Sequence, residues 1–426
     1  MANSLISDAP IGLPFRRGRR NRRCSSTGTG IGNGTGIDAK RPCMTIDLDG
    51  ATAGGQFVRT ALTLSVLENE PVRIENVRGN RSTPGLRHQH LAVLETMAAV
   101  CDADVSGAEL GAETVEFEPD LESTTDASGW SGAGRGRLAG GTYEVDIGTA
   151  GSATLLFDAL LPLATILESQ LSVTVTGGTD VAWSPPLDYA QRVKLPLLRR
   201  VGLTAALEVD RRGFYPDGGG RATLQLAPST LEPIELAERG PLEGVRLYST
   251  ESASLADRDV AYRQAEGALE RLALAETDLE VVDRCERTVE SPSPGSAIVL
   301  RVDHGTGIAG FTALGERGTP AERVGEDAAD AANRFLEHSS GNKPAPVDRH
   351  MADQLLVFLA LAGGRVRIPA VTDHVATSRE LLEAFGADLD LELECNAASG
   401  ADGETASAAS DAGRPALVTV DSTVDT

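Results

Sequence analysis

A basic segment between Arg78 and His90 has the residue types needed to hold a phosphate group. Its sequence, RGNRSTPGLRHQH, contains the polar side chains Arg78, Arg81, Arg87, His88, Gln89 and His90. Guanidinium groups bind phosphate oxygens through paired hydrogen bonds, and the glycine and proline residues predict turns that bring these groups together. With Arg59 from the preceding helical segment, the pattern predicts a phosphate pocket. An exposed loop with solvated charges is the alternative interpretation.

Two further segments carry residues suited to acid–base or nucleophilic chemistry. His374, in TDHVATS, comes at the end of a predicted strand and before a predicted helix, where an imidazole can act as a nucleophile. An ordinary loop histidine is the alternative. Asp353, in HMADQ, enters an apolar helix, where a carboxylate can also serve only to complement the helix dipole. The turn GFYPDGGG at residues 213–220 is a weak indication of nucleotide binding, because hairpin geometry also explains it.

The charge composition limits how a polyanionic substrate could be bound. The 426-residue chain has 62 acidic and 39 basic residues and a net charge of −23. Its lysines are Lys40, Lys194 and Lys343. An acidic, lysine-poor surface is typical of proteins that stay soluble in concentrated salt, where a Debye length of about 3 Å at about 1 M weakens repulsion. The net charge is therefore compatible with an RNA substrate, provided that a local arginine cluster binds it.

The sequence predicts neither a membrane span nor a disulfide or zinc framework. It has no uncharged apolar run long enough to cross a bilayer, and its five cysteines are far apart with no CxxC pair. Residues 1–43, with a basic run and a Ser/Thr/Gly tract, predict a disordered extension, and a basic nucleic-acid arm is the alternative. Residues 396–426 predict an acidic disordered tail. We expect a cytoplasmic protein, because no targeting segment is found.

The elements that would position these residues recur along the chain. Glycine-rich turns and apolar helices occur together in GGQFVRTALTLSVL from Gly54, GTAGSATLLFDALLPLA from Gly148, and MADQLLVFLALAGG from Met351. Alternating strands lie between these units, so the pattern predicts an α/β fold built from repeated strand–helix modules. Residues 233–338 interrupt the repeat and predict an inserted domain. The predicted core is therefore 44–232 and 339–395.

Taken together, several motifs resemble those of the RNA 3′-terminal phosphate cyclases. They lie in the family's order between Thr45 and Leu393, as IDLDGATAGGQFVRTALTLS, VRGNRSTPGLRHQHL, GTAGSATLLFDALLP, GGTDVAWSPPLDYAQRV, GFYPDGGG, ADQLLVFLALAGG and TDHVATS. The resemblance implies an α/β (α+β) fold of three repeated βαβαββ units, similar to the C-terminal domain of a translation initiation factor, plus a small inserted α/β domain. It also implies ATP-dependent conversion of an RNA 3′-phosphate to a 2′,3′-cyclic phosphate, through histidine–AMP and RNA–adenylate intermediates, with release of pyrophosphate and AMP.

The resemblance also assigns roles to individual residues. His374 is similar to the family's nucleophilic histidine, which carries AMP on its Nε2 atom, and Asp353 to an aspartate that orients the imidazole or assists a metal. The implied adenylate-binding residues are Gln89, His90, Pro185, Pro186, Phe311, His350, Met351, Ala352, Asp353 and Gln354. The implied RNA-phosphate-binding residues are Gln56, Arg59, Arg78 and Arg81. The implied cofactors are ATP and a divalent ion, Mg²⁺ or Mn²⁺, with no metal ligands assigned. The implied partner is an RNA 3′-phosphate end, without DNA or membrane, and no oligomeric state is predicted.

The chain departs from the family's pattern at three places. The loop from Asp49 to Gln56 is two residues shorter than the family's DGxxGEGGGQ and lacks its glutamate, for which Asp49 is at best a partial substitute. His350 occupies the position of a family tyrosine, and Ser378 that of an asparagine. These differences bear on rate and metal requirement more than on the class of reaction.

Three other interpretations stay open at this point. One branch of the family serves in ribosome assembly and lacks the nucleophilic histidine. His374 argues against that non-catalytic, RNA-binding alternative, whereas the missing loop glutamate favours it. The enolpyruvate transferases also use βαβαββ units, but they need lysine and arginine clusters for a small phosphorylated substrate. A pure RNA-binding module would need neither His374 nor Asp353.

Overall fold

The structure analysed is a computed structural model of the chain. It describes residues 45–123, 136–274, 279–337, 343–393 and 413–420. The predicted N-terminal extension, residues 1–43, lies outside these ranges, as does most of the predicted acidic tail.

The first group of elements forms a four-stranded sheet with two helices. In chain order they are β1 (Ile46–Asp49), α1 (Gly55–Glu68), β2 (Val72–Glu75), α2 (His88–Cys101), β3 (Asp104–Ser106) and β4 (Val115–Glu118). The sheet order is β1-β2-β4-β3, with β1 and β2 parallel and the other neighbours antiparallel. Asn69 and Asp102 end the two helices in the left-handed conformation, which these short polar side chains tolerate better than most. A short antiparallel pair follows, β5 (Glu122–Ser123) with β6 (Gly136–Arg137).

The second group repeats this pairing pattern. Its elements are β7 (Gly141–Asp146), α3 (Ala153–Leu160) with a 3₁₀ turn (Leu161–Thr165), β8 (Leu171–Gly177), α4 (Leu187–Tyr189), a π-helical turn (Ala190–Lys194), α5 (Leu195–Arg200), β9 (Ala205–Arg211) and β10 (Gly220–Leu226). The order is β7-β8-β10-β9, again with one parallel pair followed by antiparallel pairs. The sequence predicts one helix over 187–201, and the structure interrupts it with the π-helical turn.

A different sheet follows the short strand β11 (Ile234–Leu236) in the chain. Its elements are β12 (Leu242–Ser252), a 3₁₀ turn (Ala253–Arg258), α6 (Val260–Arg271), β13 (Val281–Val289), β14 (Ser296–His304), β15 (Gly307–Leu314) and α7 (Ala321–Leu336). The sheet order is β13-β12-β14-β15. Alternate residues of these strands pack against α6 and α7 in an apolar core of their own.

The third group again has the order parallel, antiparallel, antiparallel. It contains α8 (Arg349–Ala362), β16 (Gly364–Ile368), α9 (Asp373–Ala384), β17 (Asp390–Leu393) and β18 (Ala416–Val420). Its sheet order is β11-β16-β18-β17. Residues 234–236 therefore join this sheet, although the sequence pattern assigned them to the segment 233–338.

Strand β18 also corrects the prediction for the C-terminal tail. Composition alone predicted disorder for residues 396–426, but Ala416–Val420 form a central strand between β16 and β17. The five residues ALVTV alternate buried and partly buried side chains. Because the flanking residues are small and acidic, the strand pattern was hidden within a low-complexity background.

One large apolar core unites the three similar sheets and places α1 at its centre. Helix α1 packs against α2, α3 and α9. Helix α8 is apolar on almost every face between Leu355 and Ala362, and those residues are buried. A helix that is apolar all round is stable only inside the protein, so the N-terminal end of α8 is held in a fixed position, and α9 packs against both α8 and α1. The polar residues at the N-terminal ends of these three helices form the candidate site.

Candidate active site

The N-terminal ends of α1, α8 and α9, together with the loop before α2, line one open cleft of about 760 Å³. The predicted site residues that line it are Gln56, Arg59, Arg78, Arg81, Gln89, His90, Pro185, His350, Asp353, Gln354 and His374. They come from all three similar sheets and their helices, so sequence positions more than 300 residues apart meet in one place. The cleft therefore combines the predicted nucleophile, the predicted aspartate and the predicted arginine cluster.

Four residues implied in adenylate binding do not line this cleft: Pro186, Phe311, Met351 and Ala352. Met351 and Ala352 are fully buried in the main core, on the inner side of α8. Pro186 is buried at the start of α4.

The prediction for Phe311 is wrong, because side chains alternate between the two faces of strand β15. A Cβ atom at Gly310 would lie 2.6 Å from Tyr189, so residue 310 faces the main core. The next side chain must point to the other face of β15. Accordingly, the ring of Phe311 packs against Phe335 of α7, with 5.4 Å between ring centroids. Phe311 supports the sheet that carries Gly310 and does not contact the cleft.

His374 lies in the first turn of α9 and not at the end of a strand. The sequence pattern predicted a helix from Ser378 to Phe385. The helix begins instead at Asp373, because the Thr372 hydroxyl caps it by accepting a hydrogen bond from the Val375 backbone N–H at 3.2 Å. Partial burial, with the positive charges of Arg59 and Arg81, lowers the pKa of His374 below its usual 6.5. The position near the positive end of the helix dipole acts in the same direction. The imidazole is therefore neutral near pH 7, as a nucleophile must be.

Asp353 is tied to His374 through Gln56 and Ser378. The Gln56 Nε2 group donates to Asp353 Oδ2 at 2.8 Å and to Ser378 Oγ at 3.0 Å. Ser378 lies one turn beyond His374 on α9. Among the described residues, no hydrogen bond joins Asp353 directly to the imidazole. Any orienting effect of Asp353 is thus indirect, through Gln56 and the helix.

The carboxylate of Asp353 is also electrostatically unusual. Burial raises its pKa to about 6, although the positive potential of His350 and the hydrogen bond from Gln56 both favour the charged form. A carboxyl group that titrates near neutrality inside a cleft is more typical of a functional site than of a surface residue.

His90 is held neutral next to Arg59. Its Nδ1 atom accepts a hydrogen bond from the Arg87 backbone N–H at 3.2 Å, so the Nε2 atom carries the proton. Burial and the charges of Arg59, Arg78 and Arg87 lower the pKa of His90 to about 3. A Cβ atom at Gly55 would lie 2.2 Å from His90 Nε2. A larger residue at this position would therefore have to displace the imidazole.

The arginine cluster faces the cleft with much of its hydrogen-bonding capacity unused. Burial lowers the pKa of Arg59 to about 10, and within the described ranges no side chain forms an ion pair with its guanidinium group. Arg78 adopts a left-handed backbone conformation and donates from Nη1 to the carbonyl oxygens of Thr83 and Gly85, at 3.0 and 3.1 Å. These bonds use the Nη1 atom of the Arg78 guanidinium group and fix its orientation. The remaining N–H groups of the cluster are available to phosphate oxygens.

Two glutamine side chains of the cleft have buried polar atoms without partners. The Nε2 atom of Gln89 and the Oε1 atom of Gln354 are inaccessible to solvent and form no hydrogen bond in the structure. A buried polar group without a partner is unfavourable by about 1–3 kcal/mol. One amide nitrogen and one carbonyl oxygen at a cleft wall match the hydrogen-bonding groups of a nucleotide.

The N-terminus of α1 adds backbone donors to this side of the cleft. Its N-cap is Gly54, which has no side chain to cap the helix, and Gly54, Gly55 and Gln56 all line the cleft. By contrast, side-chain oxygens cap α3, α8 and α9. An uncapped helix N-terminus beside arginines suits an anion.

Sequence reasoning missed several residues of the cleft, among them Asp158, Lys194 and Trp183. Lys194 Nζ donates to Asp158 Oδ1 at 2.6 Å, and the lysine side chain is only 3% exposed. In the sequence, Lys194 resembles an ordinary basic residue near a helix end. The π-helical turn places it inside the cleft, and π-helical turns occur often at functional sites.

A buried aspartate connects the cleft with the neighbouring sheet. Asp348 caps α8 by accepting from the His350 and Met351 backbone N–H groups. It also accepts from the Tyr189 hydroxyl at 2.9 Å and from the Gly310 backbone N–H at 2.8 Å. The Tyr189 ring in turn meets the His350 imidazole edge to face, with 6.1 Å between centroids. His350 is therefore positioned by groups from three different parts of the chain.

The described residues contain no group of three histidine, cysteine or acidic residues arranged to hold a metal ion. Asp49, the partial substitute for the missing loop glutamate, accepts at Oδ1 from the Ala51 backbone N–H and from Asn76 Nδ2. Asp49 lies outside the cleft lining, where the carboxylates are Asp158 and Asp353. Within the described ranges there is also no helix long and apolar enough to span a membrane.

Comparison with known proteins agrees with this geometry. A model of the family described as RNA 3′-terminal phosphate cyclase matches residues 51–389. The protein of that name from Halobacterium salinarum is 48% identical over 350 residues, covering 81% of this chain and 96% of its own. Its namesakes from Methanopyrus kandleri and Pyrococcus furiosus are 40% and 37% identical, each covering 80% of this chain and 93% of its own. A solved enolpyruvyl transferase, NikO from Streptomyces tendae, matches 44% of this chain and 32% of its own with 16% identity and a TM-score of 0.24, too low for any conclusion. The chain therefore belongs to the RNA 3′-terminal phosphate cyclase family and is an enzyme of that family.

Proposed function

We propose that this enzyme uses ATP to convert RNA 3′-terminal phosphates to 2′,3′-cyclic phosphates through a covalent adenylate on His374. The observation that carries the proposal is the juxtaposition in one cleft of a neutral, half-exposed imidazole with the arginine cluster and Asp353. A phosphate-binding module without chemistry would not require a neutral histidine at this place.

In the first step, His374 Nε2 attacks the α-phosphorus of ATP. A nitrogen–phosphorus bond forms, the bond from that phosphorus to the bridging oxygen breaks, and pyrophosphate leaves. The lowered pKa of His374 keeps the attacking lone pair free. The guanidinium groups of Arg59 and Arg81 and the N-terminus of α9 would stabilise the negative charge that develops on the phosphate.

In the second step, an oxygen of the RNA 3′-phosphate attacks the same phosphorus and the bond to His374 breaks. The RNA then carries AMP on its terminal phosphate. The 2′-hydroxyl oxygen next attacks the RNA phosphorus, loses its proton, and AMP leaves. Adenylation is needed because a bare phosphate monoester would have to expel hydroxide or oxide. Arg78 and Arg81, together with Gln56, are the residues we assign to the RNA phosphate.

We assign adenylate binding to Pro185, His350, Gln89, Gln354 and His90, which all line the cleft. Pro185 and His350 offer apolar and aromatic surface to the adenine ring, and the unpartnered amides of Gln89 and Gln354 offer one donor and one acceptor. His90, which donates only from Nε2, completes this set near Arg59.

A divalent ion, Mg²⁺ or Mn²⁺, fits the donor set if the nucleotide brings it. Mg²⁺ usually takes one or two carboxylates and completes its shell with phosphate oxygens and water. Asp158 and Asp353 are the carboxylates of the described cleft that could supply such ligands. The ion would partly neutralise the triphosphate charge.

The fold supports the assignment. We infer that the three sheets with the same strand pairing are the three βαβαββ units expected of the family, with the initiation-factor-like topology, and that β12 to α7 form the inserted domain. Such an enzyme would act in the cytoplasm on RNA rather than DNA, because cyclisation requires a 2′-hydroxyl.

The proposal is tested with an RNA oligonucleotide that carries a labelled 3′-phosphate. Incubation with ATP and Mg²⁺ in concentrated salt should make the label resistant to phosphatase and release AMP. A matched RNA with a 2′-O-methyl group on its terminal nucleotide should instead accumulate RNA–adenylate, since the ring cannot close. Failure to produce either species would favour the non-catalytic alternative, for which the position of Asp49 outside the cleft lining is the supporting observation.

A further inference from the structure

The largest exposed aromatic group of the described residues lies on this cleft. Of the large apolar side chains that are exposed there, which are Leu110, Trp183, Tyr215, Tyr262 and Val282, Trp183 is the most exposed, at 87%, and it alone lines the cleft. Because the ring is both solvent-exposed and part of the lining, it lies at the open edge of the cleft. Neither the chemistry proposed above nor the packing of the core uses it.

The backbone around Trp183 is fixed by its conformation and by hydrogen bonds of neighbouring residues. Trp183 has a φ of 64°, in the left-handed region that a bulky residue rarely adopts. On either side, Ser184 Oγ donates to the Val181 carbonyl oxygen at 2.9 Å, and Thr154 Oγ1 donates to the Pro185 carbonyl oxygen at 2.8 Å.

A buried ion pair between Asp180 and Arg212 also fixes the loop of residues 181–186 that carries Trp183. Asp180 Oδ1 accepts from the Leu187 backbone N–H at 3.2 Å. The Arg212 guanidinium group donates to both oxygens of Asp180, at 2.9 and 3.0 Å. Both ends of the loop that carries Trp183 are thus fixed, so little conformational entropy is lost when a ligand meets the ring.

We propose that Trp183 is a stacking platform for a nucleobase of the RNA strand as it leaves the cleft; this inference rests on the proposed function. A strand whose terminal phosphate lies among the arginines must extend from the cleft into solvent. Because we assign adenine to Pro185 and His350, the exposed ring at the edge is left for the RNA. A base stacks on an aromatic ring through its π-face and needs no particular sequence.

Base stacking is especially useful to an acidic protein that binds RNA in concentrated salt. The chain carries a net charge of −23, and concentrated salt weakens phosphate contacts steeply. Stacking between a base and an indole ring involves no net charge and is therefore retained in salt. An exposed tryptophan at the edge of an arginine-lined cleft would supply the salt-resistant part of RNA binding.

Tryptophan fluorescence provides a direct test, because the chain has two tryptophans. In a Trp130→Phe background, Trp183 is the single indole fluorophore. A short RNA with a 3′-phosphate end, added without ATP so that it cannot be adenylated, should quench its fluorescence to saturation in both low and high salt. Failure of this RNA to quench would overturn the proposal, as would equal quenching by AMP alone. Because no catalysis is involved, this result is independent of whether the cyclisation mechanism holds.

Substitutions give a second test. Trp183→Ala should weaken RNA binding about 5- to 150-fold, the range expected for one stacked base, and Trp183→Phe should weaken it less. Tyr262→Ala, which removes a half-exposed aromatic ring outside the cleft, should leave RNA binding unchanged. An abasic RNA should bind wild type as weakly as normal RNA binds Trp183→Ala. Equal losses in all three protein variants, or a loss of self-adenylation without RNA as large as the loss of RNA binding, would contradict the proposal.

Discussion

Replacing Asp353 by asparagine should make the protein more stable while impairing its activity. Burial raises the pKa of this carboxyl group from 3.8 to about 6. Since each pKa unit corresponds to about 1.36 kcal/mol, the ionised carboxylate destabilises the folded state by about 3 kcal/mol. A residue that destabilises the fold to this extent is expected where function requires it.

The raised pKa of Asp353 determines how its effect on the free energy of unfolding changes with pH. The folded protein binds a proton at Asp353 more tightly than the unfolded chain does, so the destabilisation is complete above pH 6. It decreases as the pH falls from about 6 to 3.8, and it is absent below that range. Asp353→Asn should therefore stabilise the protein by up to about 3 kcal/mol at pH 7.5 and by much less at pH 4.5.

The measurement is urea unfolding of wild type and variant at both pH values and constant salt. Glu380→Gln, which removes an exposed carboxylate of α9, is the matched control and should change stability by no more than about 0.5 kcal/mol. The reasoning would be refuted if Asp353→Asn destabilised the protein at pH 7.5, or if its effect were the same at both pH values.

Three further predictions concern the charges and contacts of the cleft. Arg81→Gln should raise the pKa of His374 by removing a positive charge, and the acid limit of self-adenylation should move to higher pH; an unchanged pH profile would contradict this. Lys194→Met should lower the unfolding free energy by about 3–5 kcal/mol, because Asp158 loses its partner, and adding Asp158→Leu should restore most of it in urea unfolding. No recovery in the double variant would show that the pair is not the cause. Gly55→Ala should displace His90 and lower the unfolding free energy by about 1–3 kcal/mol, whereas Gly54→Ala, with its nearest neighbour 3.7 Å away, should be milder; equal losses would refute the clash.

The residues that sequence reasoning placed in the cleft correctly share a local signal. Arg78, Arg81 and His374 sit next to glycine, proline or threonine residues that end strands or begin helices, and such positions lie at sheet edges. Their chemistry and their exposure could both be read locally. The family resemblance added the pairing of Asp353 with this group.

The residues missed or misplaced depend on tertiary structure. Lys194 is the last residue of a π-helical turn and lines the cleft, and no residue pattern in the sequence predicts that turn. Phe311 was misplaced because the face of β15 that meets the main core is decided by the packing of Gly310 against Tyr189. Strand β18 was missed because its partners β16 and β17 stabilise a segment that composition alone marks as disordered.

The most direct test of the account is covalent labelling with ATP that carries a label on its α-phosphate. Wild type, incubated in concentrated salt with Mg²⁺ and without RNA, should acquire an acid-labile label that peptide mapping places on residue 374. His374→Ala should acquire none, whereas His88→Ala, which removes a histidine outside the cleft lining, should be labelled like wild type. A label that persists in His374→Ala, or that maps to another residue, would contradict the account.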